Sequence, residues 1–187
     1  METLQNRIKR SCTYTVVTCV DWRLHGELGL DPFIQSRADG GNPIRYDLVT
    51  TPGCCDCFVH EDSLSIAQRE QVMNAIQHSI DLHHPETVIL IQHTDCDRYA
   101  SRGRLPEDRR SQELVLKSDL VKAAFMIKEA FPKVQLVGFT ARLHEEHVAE
   151  LESASLSTEL RRVRSDRPRP SSLPPEPAFP RRHVTHS

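Results

Sequence analysis

A short, continuously apolar segment in the middle of the chain constrains the fold more than any other feature. Residues 87–92 read Thr-Val-Ile-Leu-Ile-Gln and are followed directly by His93. β-Branched residues favour strands, and an apolar run without alternation is expected for a strand that is buried on both faces. The segment therefore predicts a central strand of a parallel sheet, with further layers covering both of its faces.

The rest of the chain alternates between strand and helix patterns. Further strands are predicted at 13–20, 45–51 and 134–139, and helices at 63–83, 111–131 and 144 to about 164. Ser65 and Gln68 could form a capping box in the first of these helices. Because alternating elements imply parallel pairing, we predict a three-layer α/β fold with a central, mainly parallel sheet of about four strands flanked by helices. Functional sites are then expected at the carboxyl ends of the strands.

The carboxyl-terminal segment differs in composition from the rest of the chain. Six of the 12 prolines lie in the last twenty residues, and seven arginines but only two acidic residues follow residue 160. Such a segment cannot bury enough apolar surface to offset its ordering entropy. We therefore predict a domain over residues 1–160 and a basic, Pro/Arg-rich, disordered tail over 161–187. A solubilising or docking role is expected for the tail. No nucleic-acid partner is expected, because Phe179 is the tail's only aromatic residue for base stacking.

The sequence also predicts a location. It has no run of 18 apolar residues that could span a membrane, and its first ten residues lack the apolar core of a signal peptide. We therefore expect a cytoplasmic protein without a membrane partner. In a reducing compartment, the six cysteines are expected to be thiols or metal ligands rather than disulfides.

Two motifs that follow predicted strands carry the residue types of a metal site. They are Cys19-Val20-Asp21-Trp22-Arg23 and His93-Thr94-Asp95-Cys96. Two thiolates and an imidazole form the ligand set of a tetrahedral zinc site with one open position, and Asp21 and Arg23 can lie on one side of an extended segment. The alternatives are a small buried hydrophobe at Cys19, a core imidazole at His93, and a closed structural zinc site. Asp21 or another cysteine would be the fourth ligand of such a closed site.

At these motifs the chain resembles the β-class carbonic anhydrases, over roughly residues 12–143. The resemblance implies that Cys19, His93 and Cys96 bind zinc and that Asp21 and Arg23 form a catalytic dyad. It also implies a parallel sheet flanked by helices and a homodimer or higher homo-oligomer with active sites at the dimer interface.

The chain departs from the family pattern near both motifs. Gln92 and Asp97 stand where the family usually has glycines, and the loop at residues 50–53 lacks the family's asparagine. An active-site glutamine of the family could correspond to Gln35. The chain therefore resembles a divergent, compact branch of the family.

The predicted function is the zinc-dependent, reversible hydration of carbon dioxide to bicarbonate, a carbonate dehydratase-like lyase activity. Zinc can bring the pKa of bound water to ~7, and the resulting hydroxide would attack the substrate. Asp21 would accept a hydrogen bond from the hydroxide, while Arg23 holds Asp21 ionised. If Arg23 released it, Asp21 could itself ligate zinc and close the site. The alternatives are a carbonyl sulfide or carbon disulfide hydrolase at the same zinc site, and a catalytically silent zinc-binding protein.

Other cysteines and histidines have simpler predicted roles. The cluster from Cys54 to His60 could hold a second metal or act as a redox switch, although apolar packing with one or two exposed thiols is favoured. His25 could shuttle protons, although a solvated loop position is favoured. His144 and His147 are assigned to a solvated helix start, and residues 98–110 to a solvated loop that could cover the zinc site.

Overall fold

The structure is a computed structural model, and it describes residues 11–25, 28–36, 43–144, 147–154 and 156. The strands are β1 (Tyr14–Thr18), β2 (Tyr46–Thr50), β3 (Thr87–His93), β4 (Gln135–His144) and β5 (His147–Ala154). The helices are α1 (Asp31–Gln35), α2 (Ser63–His83), α3 (Asp97–Ser101) and α4 (Arg109–Ala130), with short 3-10 turns at Trp22–Leu24 and Asp56–Phe58. The predicted tail, residues 161–187, lies outside the described residues.

The strands form one mixed sheet in the order β2-β1-β3-β4-β5. The neighbours from β2 to β4 run parallel, and β5 runs antiparallel to β4 at the edge. In the pairing of β1 with β3, Thr18 lies opposite Ile91, so the carboxyl ends of these two strands meet. The predicted three-layer α/β fold is confirmed, and its sheet has one strand more than the number predicted.

Strand β5 corrects the helix that was predicted over residues 144–164. Residues 149–152 read Ala-Glu-Leu-Glu, which favours a helix by propensity. In the structure, however, Arg142 of β4 donates to Glu150 at 2.7 Å and to Glu152 at 2.9 Å. These glutamates share one face of the strand because strand side chains alternate with a period of two. Pairing with β4 therefore overrides the local propensity, and the predicted helical residues after 156 lie outside the described part of the chain.

Strand β3 lies between two apolar layers. Val88 and Leu90 belong to the cluster that contains α2 and α4, whereas Ile89 and Ile91 belong to the cluster on the other side of the sheet. That second layer includes Leu24, Leu30 and Ile34. None of the four β3 side chains is more than 4% exposed, and each such burial is worth about 1.5–3 kcal/mol. The prediction of a strand that is buried on both faces is confirmed.

Helix α2 has well-defined ends. It begins after Asp62, whose carboxylate accepts a hydrogen bond from the backbone N–H of Ser65 at 3.0 Å. The cap is therefore Asp62 and not the predicted pair of Ser65 with Gln68. The helix ends at His83, after which His84 adopts the left-handed conformation and Pro85 follows. No helix in the described part of the chain is both long and apolar enough to cross a membrane.

Candidate metal centre

The carboxyl ends of β1 and β3 bring the two predicted motifs together. Cys19 follows β1, His93 is the last residue of β3, and Cys96 is the N-cap of α3. The two sulfur atoms lie 3.9 Å apart, and each lies within 4.8 Å of a ring nitrogen of His93. All three side chains are buried. The structure thus gathers the three predicted ligands into one cluster.

The imidazole of His93 is oriented as a metal ligand would be. Its Nδ1 lies 2.8 Å from the carbonyl oxygen of Thr94, so this nitrogen carries the proton and donates it. Its Nε2 is buried and finds no hydrogen-bond partner among the residues that the structure describes. A buried lone pair without a donor is costly unless it meets a cation. A neutral imidazole whose other nitrogen is fixed by a carbonyl is the usual form of a histidine that binds zinc.

The hydrogen bond between the two thiols moves their pKa values in opposite directions. The hydrogen bond from Cys96 is the largest cause that holds the pKa of Cys19 below its ordinary value, although burial opposes it. The hydrogen bond to Cys19 and then burial raise the pKa of Cys96. The backbone N–H of Gly53 also donates to the sulfur of Cys19 at 3.2 Å. A divalent cation would allow both sulfurs to be thiolates, and two sulfurs with one imidazole nitrogen fit zinc.

An ion pair between Asp21 and Arg23 lies beside this cluster. Nε and Nη2 of Arg23 donate to the two carboxylate oxygens at 3.0 and 2.6 Å, and the backbone N–H of Arg23 donates at 3.1 Å. These side-chain hydrogen bonds are the main reason that the pKa of Asp21 is lowered. Oδ2 of Asp21 lies 3.8 Å from Nε2 of His93. An ionised carboxylate is therefore held next to the three candidate metal ligands while its oxygens bind Arg23.

A turn, rather than the predicted extended segment, places this pair. Asp21 caps the 3-10 turn Trp22–Leu24, and the turn directs the side chain of Arg23 back towards the carboxylate. Nη2 of Arg23 also donates to the backbone oxygen of Asp95 at 3.3 Å, which links the two motifs. The pair belongs to the wall of a cavity of about 960 Å³, whose lining includes Cys19, Asp21, Trp22, Arg23, Pro52, Cys96, Arg98 and Ser101.

The loop after β2 requires a glycine. Gly53 has φ +72°, and a Cβ atom there would lie 2.8 Å from Cγ of Arg98 and 2.9 Å from Cβ of Asp56. The absence of a side chain lets its N–H reach Cys19 and lets Arg98 pack over the turn. Asp56 is fully buried, and it pairs with Arg98 at 2.9 Å and with Arg102 at 3.1 Å. The loop is therefore held against α3 by a buried carboxylate.

A family model described as "Putative carbonic anhydrase" matches residues 9–150. The chain belongs to this carbonic anhydrase family. The matched region contains both motifs and the four parallel strands, so the family resemblance predicted from the sequence is confirmed. Comparison with curated proteins found no matching sequence.

Solved structures similar to this carbonic anhydrase homologue include enzymes of two kinds. A carbonic anhydrase from Streptococcus mutans is 13% identical, with coverage of 79% of this chain and 84% of that chain and a TM-score of 0.48. Two tetrameric β-carbonic anhydrases from Sordaria macrospora are represented by a structure with 8% identity, 81% and 86% coverage and a TM-score of 0.49. The apo form of a carbon disulfide hydrolase has 16% identity, 81% and 82% coverage and a TM-score of 0.42. Each of these activities is that of the protein compared, and none of them assigns a substrate to this chain.

The cysteines after Gly53 pack into the core of this family member. Cys54, Cys55 and Cys57 are each at most 1% exposed, so the expectation of one or two exposed thiols is wrong. Burial is the largest cause that raises the pKa of Cys57, to about 12. Among the described residues, none of the three joins a group that could hold a metal. The cluster therefore offers neither a second metal site nor an accessible thiolate.

Three other predicted features lie elsewhere. Nε2 of His25 is 3.0 Å from the backbone oxygen of Cys19, and the amide of Gln35 bonds to the backbone of Ile44 instead of lining the cavity. His144 and His147 face each other across the β4–β5 pairing, with ring centroids 5.6 Å apart, and are not on a helix.

The segment 98–110 is only in part the predicted solvated loop. Residues 102–108 are irregular and residues 107–110 are exposed, but the segment begins within α3 and ends in α4. Three of its arginines, Arg98, Arg102 and Arg104, form ion pairs with buried carboxylates. Besides the pairs of Asp56, Arg104 binds the fully buried Asp119 at 2.6 Å. Sequence reasoning missed these contacts because the partners of Asp56 lie about 40 positions away along the chain, and only the run of arginines hinted at them.

Proposed function

We propose that this chain is a zinc-dependent carbonic anhydrase that reversibly hydrates carbon dioxide to bicarbonate. The observation that supports this proposal most strongly is the buried Nε2 of His93, which has no hydrogen-bond partner among the described residues. A ring nitrogen of the same histidine lies within 4.8 Å of two sulfurs. A donor set of this kind leaves a tetrahedral zinc ion one open position. The wide cavity beside it gives a small substrate access to that position.

Zinc bound by these residues would supply a Lewis acid that lowers the pKa of a coordinated water to ~7. Cys19, His93 and Cys96 would hold the ion, and the carbonyl of Thr94 would fix the imidazole. The role of Asp21 is to accept a hydrogen bond from the attacking water and so to orient its lone pair towards the substrate.

Arg23 is the positioning residue of this arrangement. Its two side-chain hydrogen bonds hold the Asp21 carboxylate in one orientation and lower its pKa, which keeps it an acceptor. The same bonds keep the carboxylate from becoming a fourth zinc ligand. The open coordination position and the ionised acceptor thus depend on one ion pair.

Stopped-flow hydration of carbon dioxide, with zinc content measured on the same sample, tests this proposal. We expect rapid hydration with zinc bound at the Cys19 cluster, and loss of hydration with retention of zinc in Asp21→Ala. Bound zinc without hydration at pH 7 or pH 9 would refute the proposal while keeping the metal site. Hydrolysis of carbonyl sulfide or carbon disulfide by that sample would identify a hydrolase, and inactivity on all three would indicate a silent zinc-binding protein.

Self-association is a further proposal for this family member. Val20 and Trp22 line the cavity and are 51% and 64% exposed, which is unusual for large apolar side chains at a site. A second copy of the chain would cover them, in line with the homodimer or higher homo-oligomer that the family resemblance predicts. Analytical ultracentrifugation tests this, and a monomer at micromolar concentration would contradict it.

A further inference from the structure

A second group of metal-binding side chains lies at the opposite end of the parallel strands. Cys12 precedes β1, Asp47 lies in β2, and His83 is the last residue of α2. One potential ligand atom from each of the three lies within 4.8 Å of the others. Cys12 and Cys19 are seven positions apart in nearly extended chain, a distance of roughly 23 Å at ~3.3 Å per residue. The group is therefore separate from the candidate catalytic centre.

One carboxylate oxygen organises this group. Oδ2 of Asp47 accepts from the thiol of Cys12 at 3.4 Å, and it lies 2.7 Å from Nδ1 of His83 and 2.6 Å from the hydroxyl of Ser79. Ser79 is in turn 2.6 Å from the hydroxyl of Thr15. Three hydrogen-bond donors thus converge on a single carboxylate oxygen, and one cation could take their place.

The arrangement does not suit a nucleophilic cysteine. The thiol of Cys12 donates to Asp47 and not to the imidazole of His83, so the only base that contacts its proton is a weakly basic carboxylate. Burial is the largest cause that raises the pKa of Cys12, and the charge of Asp47 adds to it. A thiol of this kind becomes a thiolate when a metal ion takes the place of its proton.

We propose that Cys12, Asp47 and His83 bind a second divalent transition-metal ion of the zinc type. One sulfur, one nitrogen and one carboxylate oxygen would be the protein ligands, and water would complete the tetrahedron. Zinc bond lengths place tetrahedral ligand atoms about 3.3–3.6 Å apart. The sulfur–oxygen distance of 3.4 Å already meets this, and the nitrogen–oxygen distance of 2.7 Å must open by roughly half an ångström.

The surroundings of the three side chains fit a metal that exchanges with solvent. The side chains of Asp47 and His83 are 29% and 33% exposed, whereas Cys12 is 9% exposed. Sulfur and nitrogen donors select zinc-type ions over magnesium and calcium, which require oxygen ligands. Binding would release the thiol proton of Cys12 and leave His83 with its proton on Nε2. The ion would then be neutralised by one thiolate and one carboxylate.

Metal binding here would link three separate parts of the fold. The backbone N–H of Cys12 already donates to the carbonyl of His83 at 3.2 Å, so the end of α2 and the start of β1 are neighbours. An ion that also binds Asp47 would connect both to β2. Only folding brings the three ligands together, so the ion would bind the folded chain and not the unfolded one. It would therefore stabilise the native state.

Zinc stoichiometry on the full-length protein tests the proposal. Metal-free protein would be titrated with zinc in the presence of a chromophoric chelator, and Cys12→Ser and His83→Gln would be compared with the wild type. His84→Asn is the matched control, because it removes the adjacent histidine and asparagine tolerates the left-handed conformation there. We expect about two zinc ions per chain for the wild type and the control, and about one for the two test variants.

A single zinc ion per wild-type chain, or two in both test variants, would overturn the proposal and leave Asp47 as a hydrogen-bond acceptor only. Thermal unfolding provides a second readout, since the rise in Tm caused by the second equivalent of zinc should be absent in both variants. His83→Gln decides the question if Cys12→Ser fails to fold. Neither test variant touches the Cys19 cluster, so carbon dioxide hydration should be retained whichever result is obtained.

Discussion

Two cysteine–histidine clusters lie at opposite ends of the same parallel strands, and they satisfy their buried polar atoms in different ways. At the carboxyl ends, Nε2 of His93 has no hydrogen-bond partner among the described residues, and the hydrogen bond between the two thiols lowers the pKa of Cys19 and raises that of Cys96. At the amino ends, Asp47 accepts hydrogen bonds from a thiol, an imidazole and a hydroxyl. The first cluster has a buried nitrogen that a cation could bind. In the second cluster the hydrogen bonds already satisfy the carboxylate, and a cation would have to displace their protons.

This difference bears on what each cluster can do. A site whose ligands are buried and fixed before the metal arrives can hold it in one geometry, as catalysis requires. A partly exposed site built around a carboxylate would bind its ion more weakly, and the bound ion would stabilise the folded protein rather than take part in catalysis. The comparison therefore predicts that zinc at the His93 cluster resists a chelator that removes zinc from the Cys12 cluster.

The largest expected effect is that of removing a ligand from the first cluster. His93→Ala should abolish metal binding there and lower carbon dioxide hydration by more than the ~100-fold that the loss of an outer-shell partner costs. His83→Gln is the matched histidine control and should hydrate at the wild-type rate. Stopped-flow assays with zinc analysis measure both effects. Full zinc retention at the first cluster in His93→Ala would contradict the assignment of this ligand.

A smaller loss is expected when the ion pair beside the first cluster is broken. In Arg23→Gln, Asp21 loses the hydrogen bonds that orient it and lower its pKa, so hydration should fall about 10- to 100-fold. Zinc content should not fall, since Cys19, His93 and Cys96 are all retained and an Asp21 carboxylate released from Arg23 could only add a ligand. An unchanged rate would mean that the pair is structural.

The turn at Gly53 tests how the first cluster is supported. Gly53→Ala and Gly103→Ala both place alanine at positive φ, which costs about 1–2 kcal/mol of stability. Only at Gly53 would the new Cβ meet Arg98 and Asp56, since nothing lies within 4 Å of it at Gly103. We expect both variants to have a lower Tm and only Gly53→Ala to hold zinc more weakly. Equal zinc affinity in the two variants would show that the Gly53 turn does not affect zinc binding by Cys19.

The smallest effect is expected from the tail. Deleting residues 161–187 should leave hydration and zinc binding at both clusters unchanged, because every proposed ligand lies between positions 12 and 96. A large loss of either property in the truncated protein, measured by the same assays, would show that the tail contributes to a site.

The sequence predicted correctly those features that depend on residues close together in the chain. The uninterrupted apolar run of β3 predicted its burial on both faces, and the two short motifs identified the residues that meet at the strand ends. Each motif spans five residues or fewer, so the candidate ligands within it are recognisable from their spacing in the sequence alone.

Features that depend on distant partners could not be predicted in this way. Cys12 and His83 lie 35 and 36 positions from Asp47, and no motif connects them. The arginine partners of Asp56, Arg98 and Arg102, are also distant, and for this reason a segment with ion-paired arginines was predicted to be a solvated loop. Strand β5 was missed because its alanine, leucine and glutamates favour a helix, and only the pairing with Arg142 shows otherwise.

X-ray absorption at the zinc edge, on Cys12→Ser protein loaded with one equivalent of zinc, tests the central claim most directly. This variant removes the sulfur of the second cluster, so the signal reports the first cluster alone. The proposed site predicts two sulfur ligands at ~2.3 Å and two lighter ligands at ~2.0–2.1 Å. A zinc environment with fewer than two sulfurs would contradict the assignment of Cys19, His93 and Cys96 as the metal centre.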